Sequence, residues 1–322
     1  MITAPDFAKK QIVFVFFNEG EKLAFSNSNI VVRTSNGTIK FQVTCYRLFL
    51  IFAVGHCSLT SAVIQEAKKF GFFIALMTPG FRLYAIVGAD KEGNTLLRRK
   101  QYLYEGLDLA KHITENKIDN QIAELKSVRN KNESIKEAIL TLTGYYKKIN
   151  SLENLNEIMA YEGLASKIYF RNHFNNVRWN GRQPRIKLDY VNSALDIGYT
   201  LLFTYIDALI SVYGFDTYCG VMHKQFYMRK SLVCDLVEPF RVLIDHTVKK
   251  SINLKQIVPE DFIEINHQWR LQWKESSKYV ELFMVPLIEE KEMIFDYIQS
   301  YYRAFMKELP AEEYPIYEYG GS

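Results

Sequence analysis

Over the first ninety or so residues, apolar positions come in short dense runs of β-branched and aromatic side chains. The runs "QIVFVFF", "KLAFSNSNIVVRT", "TIKFQVTCYRLFLIF", "FFIALMTPG" and "FRLYAIVG" are separated by turn formers such as "NEGE" and "SNGT". That is the pattern of strands joined by tight turns. One helix is predicted among them, "SLTSAVIQEAKKFG", opening on a serine cap and closing at Gly71.

After "ADKEGNTLLRRKQ" the apolar period lengthens to that of a helix. Polar spans such as "KIDNQIAELKSVRNKNESIKEAILTL" then alternate with apolar ones. The expected organisation is a β-rich domain over 1–94 followed by an α-helical domain over 95–322, with the boundary near Asn94. The tail from about Pro310, in "ELPAEEYPIYEYGGS", carries no basic residue and is expected to fray. The most apolar stretch, "VNSALDIGYTLLFTYIDALISVYGF", has membrane-spanning length, yet it contains Asp196 and Asp207. A charge at that depth costs roughly 2.5 to 3.5 kcal/mol on insertion scales, so a buried core helix and no membrane association are expected.

Composition narrows the class. With 40 basic and 36 acidic residues the net charge is +4, so any preference for a charged partner must come from how the charges are distributed. Cys45, Cys57, Cys219 and Cys234 form no C-x-x-C pair, which argues against a zinc framework and for reduced core thiols. The N-terminal "MITAPDFAKK" lacks an apolar run of signal-peptide length, and a cytoplasmic protein is expected. Neither G-x-G-x-x-G nor the P-loop pattern occurs.

Three stretches carry chemistry. In "SLENLNEIMAYEGLASKIYF", Ser151 is the expected cap, and Leu155, Ile158, Ala165 and Tyr169 make one apolar stripe. At about 100° per residue Glu162 falls near the middle of that stripe. A carboxylate placed there must be neutralised, paired with a cation or bound to a metal.

The second stretch is "GVMHKQFYMRKSLVCDLVEPFR". With Ser231 as cap, periodicity puts the apolar residues on one side of a helix and Asp235 and Glu238 on the opposite, solvent-facing side. Pro239 either kinks that helix or begins a new one. His223 sits in a loop-like segment just before it, as a structural group or as a ligand. Two carboxylates and an imidazole converging from separate elements would make a hard site suited to Mn²⁺ or Mg²⁺, able to polarise a phosphoryl oxygen.

The third stretch runs from Lys167 to Lys187. It holds Lys167, Arg171, Arg178, Arg182, Arg185 and Lys187, no acid, and the rings of Tyr169, Phe170, Phe174 and Trp179. Basic residues with interleaved aromatics suit a phosphate backbone with unpaired bases, although an ordinary basic surface has the same composition. Lys224, Arg229, Lys230 and Arg241 flank the histidine and the acids. The residues thus point to metal-dependent phosphodiester chemistry on nucleic acid.

In order and spacing, "AYEGLASKIYF", "RQPRIKLDYVNSALDIGYTLL", "GFDTYCGVMHKQFYMRKSLVCDLVEPFRVLID" and the upstream "GADKEGNTLLRRKQYLY" resemble the CRISPR-associated integrase family, the catalytic subunit of the spacer-acquisition complex. The resemblance implies an α+β protein, with an N-terminal β-sandwich-like domain followed by a larger all-α catalytic domain. It implies divalent-metal ligands at Glu162, His223 and Glu238, with Asp235 as a neighbouring catalytic acid, which reverses the solvent-facing reading of Glu238. It further implies DNA held by Lys167, Arg171, Arg178, Arg182, Arg185, Lys187, Lys224, Arg229 and Arg241, and a homodimer built through the β domains. A second small adaptation protein would bridge two such dimers, with a processing nuclease as a further partner. The implied reaction joins 3′ hydroxyl ends of spacer DNA to the CRISPR repeat by transesterification. Two alternatives stand beside it: a metal-dependent nuclease of branched or single-stranded DNA using the same residues, and a non-catalytic nucleic-acid-binding scaffold whose acids are structural.

Overall fold

The computed structural model describes residues 2–223 and 227–320. Two compact units are present: residues 2–98 with 204–215, and residues 99–203 with 216–320. The boundary falls a few residues beyond Asn94, and the first unit takes back a segment from much later in the chain.

The first unit begins with a short helix α1 (Ala4–Ala8) and contains two four-stranded sheets. One has the order β1 (Gln11–Phe17), β5 (Leu48–Gly55), β7 (Phe73–Met77), β8 (Leu83–Gly88). The other has the order β4 (Ile39–Thr44), β3 (Asn29–Arg33), β2 (Lys22–Ser26), β6 (Ser58–Leu59). The first sheet is parallel except for its β7–β8 pair. Val15, Phe17, Ile51, Ala53 and Ile74 from one sheet share a buried cluster with Leu23, Ile30 and Val32 from the other. Helix α2 (Ser61–Phe70) adds Val63 and Ala67 to that cluster, so the sandwich-like expectation holds. All eight residues of β5 are buried. On its other face Phe49 packs edge-on against Tyr205, ring centres 6.1 Å apart.

The run "KLAFSNSNIVVRT" is two strands rather than one. Asn27 and Ser28 both take positive φ, 48° and 60°, and two successive left-handed residues make the tight turn that folds β2 back on β3. The helix α2 caps on Thr60, and Gly71 ends it at φ 76°.

The second unit is helical, with α3 (Thr95–Leu103) entering it at Arg99. Then come α4 (Asp108–Ser127), α5 (Glu133–Ile149), α6 (Leu155–His173) and α7 (Tyr190–Tyr213), whose last ten residues belong to the first unit. The series continues with α8 (Ser231–Val237), α9 (Arg241–Asn253), α10 (Ser276–Glu289) and α11 (Lys291–Lys307). One hairpin, β9 (Phe262–Ile265) with β10 (Gln268–Leu271), interrupts the helices. Among the described residues α7 alone has the length and apolarity to cross a membrane, and 78% of its apolar window is buried inside the protein.

Helix α4 is the centre of this unit. Ala110, Ile118, Ile122 and Leu125 pack with α5 through Ile135, Ala138 and Leu142, and with α6 through Ile158, Ala165 and Tyr169. Its polar residues Asn116, Lys117, Asn120, Gln121 and Glu124 are buried as well, although this is one of the polar spans of the sequence. Burying them requires partners, and the tail supplies several. Asn116 and Asn120 donate to the Tyr317 carbonyl at 2.7 and 2.9 Å, and their amide oxygens accept from the Tyr317 and Tyr319 N–H groups at 2.9 Å each. Tyr314 and Tyr317 are buried. Over residues 314–319 the tail is therefore held rather than frayed, and it satisfies α4. Asn120 also donates to the Pro239 carbonyl at 3.0 Å.

Replacing Asn120 with Ala leaves the Pro239 carbonyl and the Tyr319 N–H without this partner, and the Tyr317 carbonyl with one donor instead of two. A loss of about 2 kcal/mol in unfolding free energy, measured by urea denaturation, is expected.

Candidate active site

The three expected ligand residues come from different elements of the second unit. Glu162 lies midway along α6, which Asn154 caps by accepting from the Glu157 N–H at 3.0 Å; Ser151 instead bonds the Lys148 carbonyl. Glu238 opens the 3₁₀ turn Glu238–Phe240. That turn is the structural form of the Pro239 interruption. Proline lacks the N–H that would continue α8, so the chain tightens and restarts as α9. His223 sits in the loop before α8, which starts at Ser231 with Lys230, not Ser231, in the cap position.

The periodicity argument placed Asp235 and Glu238 in solvent, and the structure overturns it. Asp235 is fully buried and Glu238 is 4% exposed. The side of α8 and the 3₁₀ turn opposite the apolar stripe is covered by protein. Residues 216–223 run back over α8, with Gln101 bonding Asp216 and Cys219 and the Leu232 N–H donating to the Thr217 carbonyl at 3.0 Å. Met222 plugs this loop into the α4–α6 core.

Asp235 holds that loop from below. Its carboxylate accepts from the Val221, Met222 and His223 N–H groups at 2.6, 3.0 and 3.0 Å, and it lies 2.6 Å from His223 Nδ1. A carboxylate at that distance fixes the proton on Nδ1 and leaves the Nε2 lone pair as the imidazole's free coordinating position. Asp235 is thus a positioning group for His223, with its oxygens consumed by the loop. Gly220 permits the contact, because a Cβ there would lie 2.6 Å from Asp235 Oδ2 and 2.9 Å from the Ser231 backbone.

Glu162 and Glu238 meet on a cation. The Lys117 ammonium bonds Glu162 Oε1 and lies 2.6 Å from Glu238 Oε2, while Ser166 donates to Glu162 at 2.9 Å. Arg241 Nε approaches the same Glu238 oxygen at 2.9 Å. The approaches to Glu238 Oε2 lack hydrogen-bond direction, so this buried oxygen has charge neutralisation but no directed donor. Burial would raise the Glu238 carboxyl, but Arg241 and Lys117 outweigh it and hold it down at about 2. Burial would likewise lower the Lys117 ammonium, but Glu162 and Glu238 raise it above its ordinary value. Glu238, Lys117 and Arg241 are therefore charged at neutral pH. Among the described residues no three histidine, cysteine, aspartate or glutamate side chains stand ready to hold a metal ion. Lys117 stands between the two glutamates, a residue for which the sequence offered no signal beyond the partner that Glu162 required.

Behind this group runs a second buried set. The Arg241 guanidinium lies over the Tyr199 ring at 4.7 Å, with Arg182 over the same ring at 5.1 Å. The Tyr199 hydroxyl donates to Asp245 Oδ1. The His173 ring bonds the Asp245 carbonyl through Nε2 at 3.1 Å. Burial raises the Asp245 carboxyl to about 7, against the pull of Tyr199, Arg241 and Arg182. Burial also lowers the His173 imidazole to about 4.

The expected DNA-binding residues divide. Lys167, Arg171, Arg178 and Arg185 are exposed, and Lys187 and Arg229 are half-buried. Arg182 is withdrawn from the patch, since it bonds Asn192 at 3.1 Å and Asp196 at 2.7 Å beneath the Tyr199 ring contact. Arg241 is engaged with Glu238. Lys224 lies outside the described residues. The rings are also taken: Tyr169 and Phe174 are buried, and Trp179 packs on Phe170 and Phe174. Of the basic and aromatic side chains in this stretch, the four that are exposed are all cations.

Two expectations follow. Asp235→Asn replaces a carboxylate that serves three N–H groups and an imidazole with one carbonyl oxygen and an N–H₂, and unfolding free energy should fall by about 3 kcal/mol. The second concerns pH. Asp245 titrates higher in the folded protein than its ordinary 3.8, so its contribution is complete below about 4 and is lost as pH rises through about 7. His173 titrates lower than its ordinary 6.5, so its contribution is complete above that value and is lost as pH falls through about 4. The slopes oppose each other between about pH 4 and 6.5. Asp245→Asn removes one of them, so the variant's urea midpoint should climb from pH 4.5 to 6.5 more steeply than the parent's.

Comparison with known proteins gives consistent matches. Residues 14–284 match the family model described as CRISPR associated protein Cas1. A protein of Francisella tularensis subsp. novicida named CRISPR-associated endonuclease Cas1 1 is 32% identical over 244 residues, 72% of this chain and 76% of that one. One of the same name from Thermodesulfovibrio yellowstonii is 26% identical over 273 residues, 80% and 86% of the two chains. In fold, the chain superposes on a CAS1 protein from Thermotoga maritima with a TM-score of 0.81 at 20% identity, covering 92% of this chain and 97% of that one. It also superposes on a casposase bound to an integration product, with a TM-score of 0.75 at 18% identity, covering 96% and 94%.

Proposed function

The chain belongs to the Cas1 family, and from that premise we propose that it is a divalent-metal-dependent DNA integrase of CRISPR adaptation. The observation that carries this reading is the convergence of Glu162 and Glu238, from α6 and from the turn before α9, on one cation beside His223. Two carboxylates converging in this way fit a hard divalent ion. Glu238 Oε2, buried without a directed donor, and His223 Nε2, freed by the Asp235 contact, complete an oxygen-rich donor set with one nitrogen. Glu162, His223 and Glu238 would hold Mg²⁺ or Mn²⁺. When bound, such an ion stabilises negative charge on an attacked phosphate and lowers the barrier to attack by a hydroxyl oxygen.

The rest falls to the chain's own groups. Asp235 holds His223 in one orientation through Nδ1. Arg241 and Lys117 keep the Glu238 carboxylate ionised in a buried setting. Lys167, Arg171, Arg178, Arg185, Lys187 and Arg229 supply the charge that positions a DNA backbone. In the joining step a 3′ hydroxyl of the spacer attacks a phosphodiester of the repeat, one P–O bond forms as another breaks, and no external energy source is needed. The assembly proposed is a homodimer through the β-sandwich units, with a second small adaptation protein bridging two dimers. Support comes from the fold match to a Cas6-RT-Cas1–Cas2 complex, TM-score 0.81 over 97% of this chain and 36% of that one, and to the casposase seen with its integration product.

Glu162→Gln and His223→Ala should remain folded and still bind a DNA duplex in EDTA. Metal-dependent strand transfer should fall at least about a hundredfold. A labelled strand that becomes longer reports integration. Only shorter products would identify hydrolysis instead, and equal activity in parent and variants would remove these residues from the site.

A further inference from the structure

Lys117 occupies the one place where both glutamates can be neutralised together. It is a long side chain on a central helix, 8% exposed, with its ammonium on Glu162 and 2.6 Å from Glu238. Among the described residues Arg241 forms its ion pair with Glu238 alone, three positions before it in the chain. Arg241 is moreover fixed by its stacking on Tyr199. Of the two cations, Lys117 alone spans both carboxylates. It is also the more easily moved, because an ammonium on four methylenes can swing while a stacked guanidinium cannot.

We propose that Lys117 is the resident cation of this site: it holds Glu162 and Glu238 together while no divalent ion is bound, and it must withdraw for the ion to load. The inference rests on the reading of Glu162 and Glu238 as metal ligands and adds a control element to it. A divalent ion and an ammonium cannot share the same pair of oxygens, since each needs those lone pairs and the two cations repel. Loading is therefore an exchange, and the lysine lowers the site's affinity for free divalent ions. A released ammonium buried this deeply needs a new anion. The anion that enters with the substrate is phosphate, so nucleic acid favours the exchange by receiving Lys117 as the carboxylates turn to the ion. Metal affinity and DNA affinity are then coupled, each raising the other by the same factor.

Mn²⁺ binding to the purified full-length protein, followed by calorimetry and by the electron paramagnetic resonance signal of free Mn²⁺, tests this directly. The parent should bind Mn²⁺ weakly alone and at least tenfold more tightly with a short DNA duplex. Lys117→Met should bind at least tenfold more tightly than the parent without DNA and gain little from adding it. It should also melt below the parent in EDTA and show the larger rise in melting temperature with Mn²⁺. Lys117→Gln, which retains a hydrogen-bonding group beside both carboxylates, provides the same comparison should the methionine variant not fold. Glu162→Gln separates the two levels of the argument. If it binds Mn²⁺ as the parent does, the ion is not at these carboxylates, and both the metal assignment and the inference fall. If it loses Mn²⁺ while neither Lys117 variant tightens binding, the metal assignment stands and the resident-cation inference is overturned.

Discussion

Charge neutrality within the helical unit is the constraint on which the rest of this structure depends. Glu162 and Glu238 face Lys117 and Arg241, with Lys117 and Glu238 buried and Glu162 and Arg241 half-buried, and the two negative charges are matched by two positive ones. Such a group adds little net stability compared with an apolar core, but removing one member is costly because it strands the others. Much around the group exists to keep its members in place. Tyr199 is stacked beneath Arg241, Asn120 ties α4 to the carbonyl following Glu238, and Ser166 steadies Glu162 from one turn along α6.

The strands could be read because a half-buried pleated surface imposes its own composition, and every apolar run over the first ninety residues is a strand or a pair of strands. Where the reading slipped, two competing local preferences decided the outcome. Asn27 and Ser28 lie inside a run of strand formers yet accept left-handed backbone, and that turns one run into a hairpin. Ser151 and Ser231 are good capping residues, but Asn154 and Lys230 occupy the cap positions, because packing sets where a helix must begin and propensity only adjusts it.

The site was legible where a residue violated its own pattern and illegible where its partner obeyed another. Glu162 in an apolar stripe announced that a cation was required. Lys117 could not be found, since "KIDNQIAELK" has the composition of a solvated helix and only the fold shows it enclosed by α5, α6 and the tail. Asp235 and Glu238 were assigned to water by a rule that assumes nothing covers a helix's polar side. Residues 216–223 cover it here, and Met222 binds them to the core. Arg182 shows the converse: sequence counts it among the basic residues, but Asp196 and Asn192 claim it locally.

The contact between α4 and the tail bears on the order in which the protein matures. Asn116 and Tyr317 are separated by 201 positions along the chain, so their pairing carries the entropic delay of long loop closure. Until it forms, the amides of Asn116 and Asn120 stay wet, and the helix bearing Lys117 is not sealed. The enclosure of the carboxylate group around Lys117 therefore depends on a contact between distant parts of the chain. Where that contact opens, the helix bearing Lys117 loses the partners of its buried amides, and the glutamates beside it come within reach of ions from the surrounding solution.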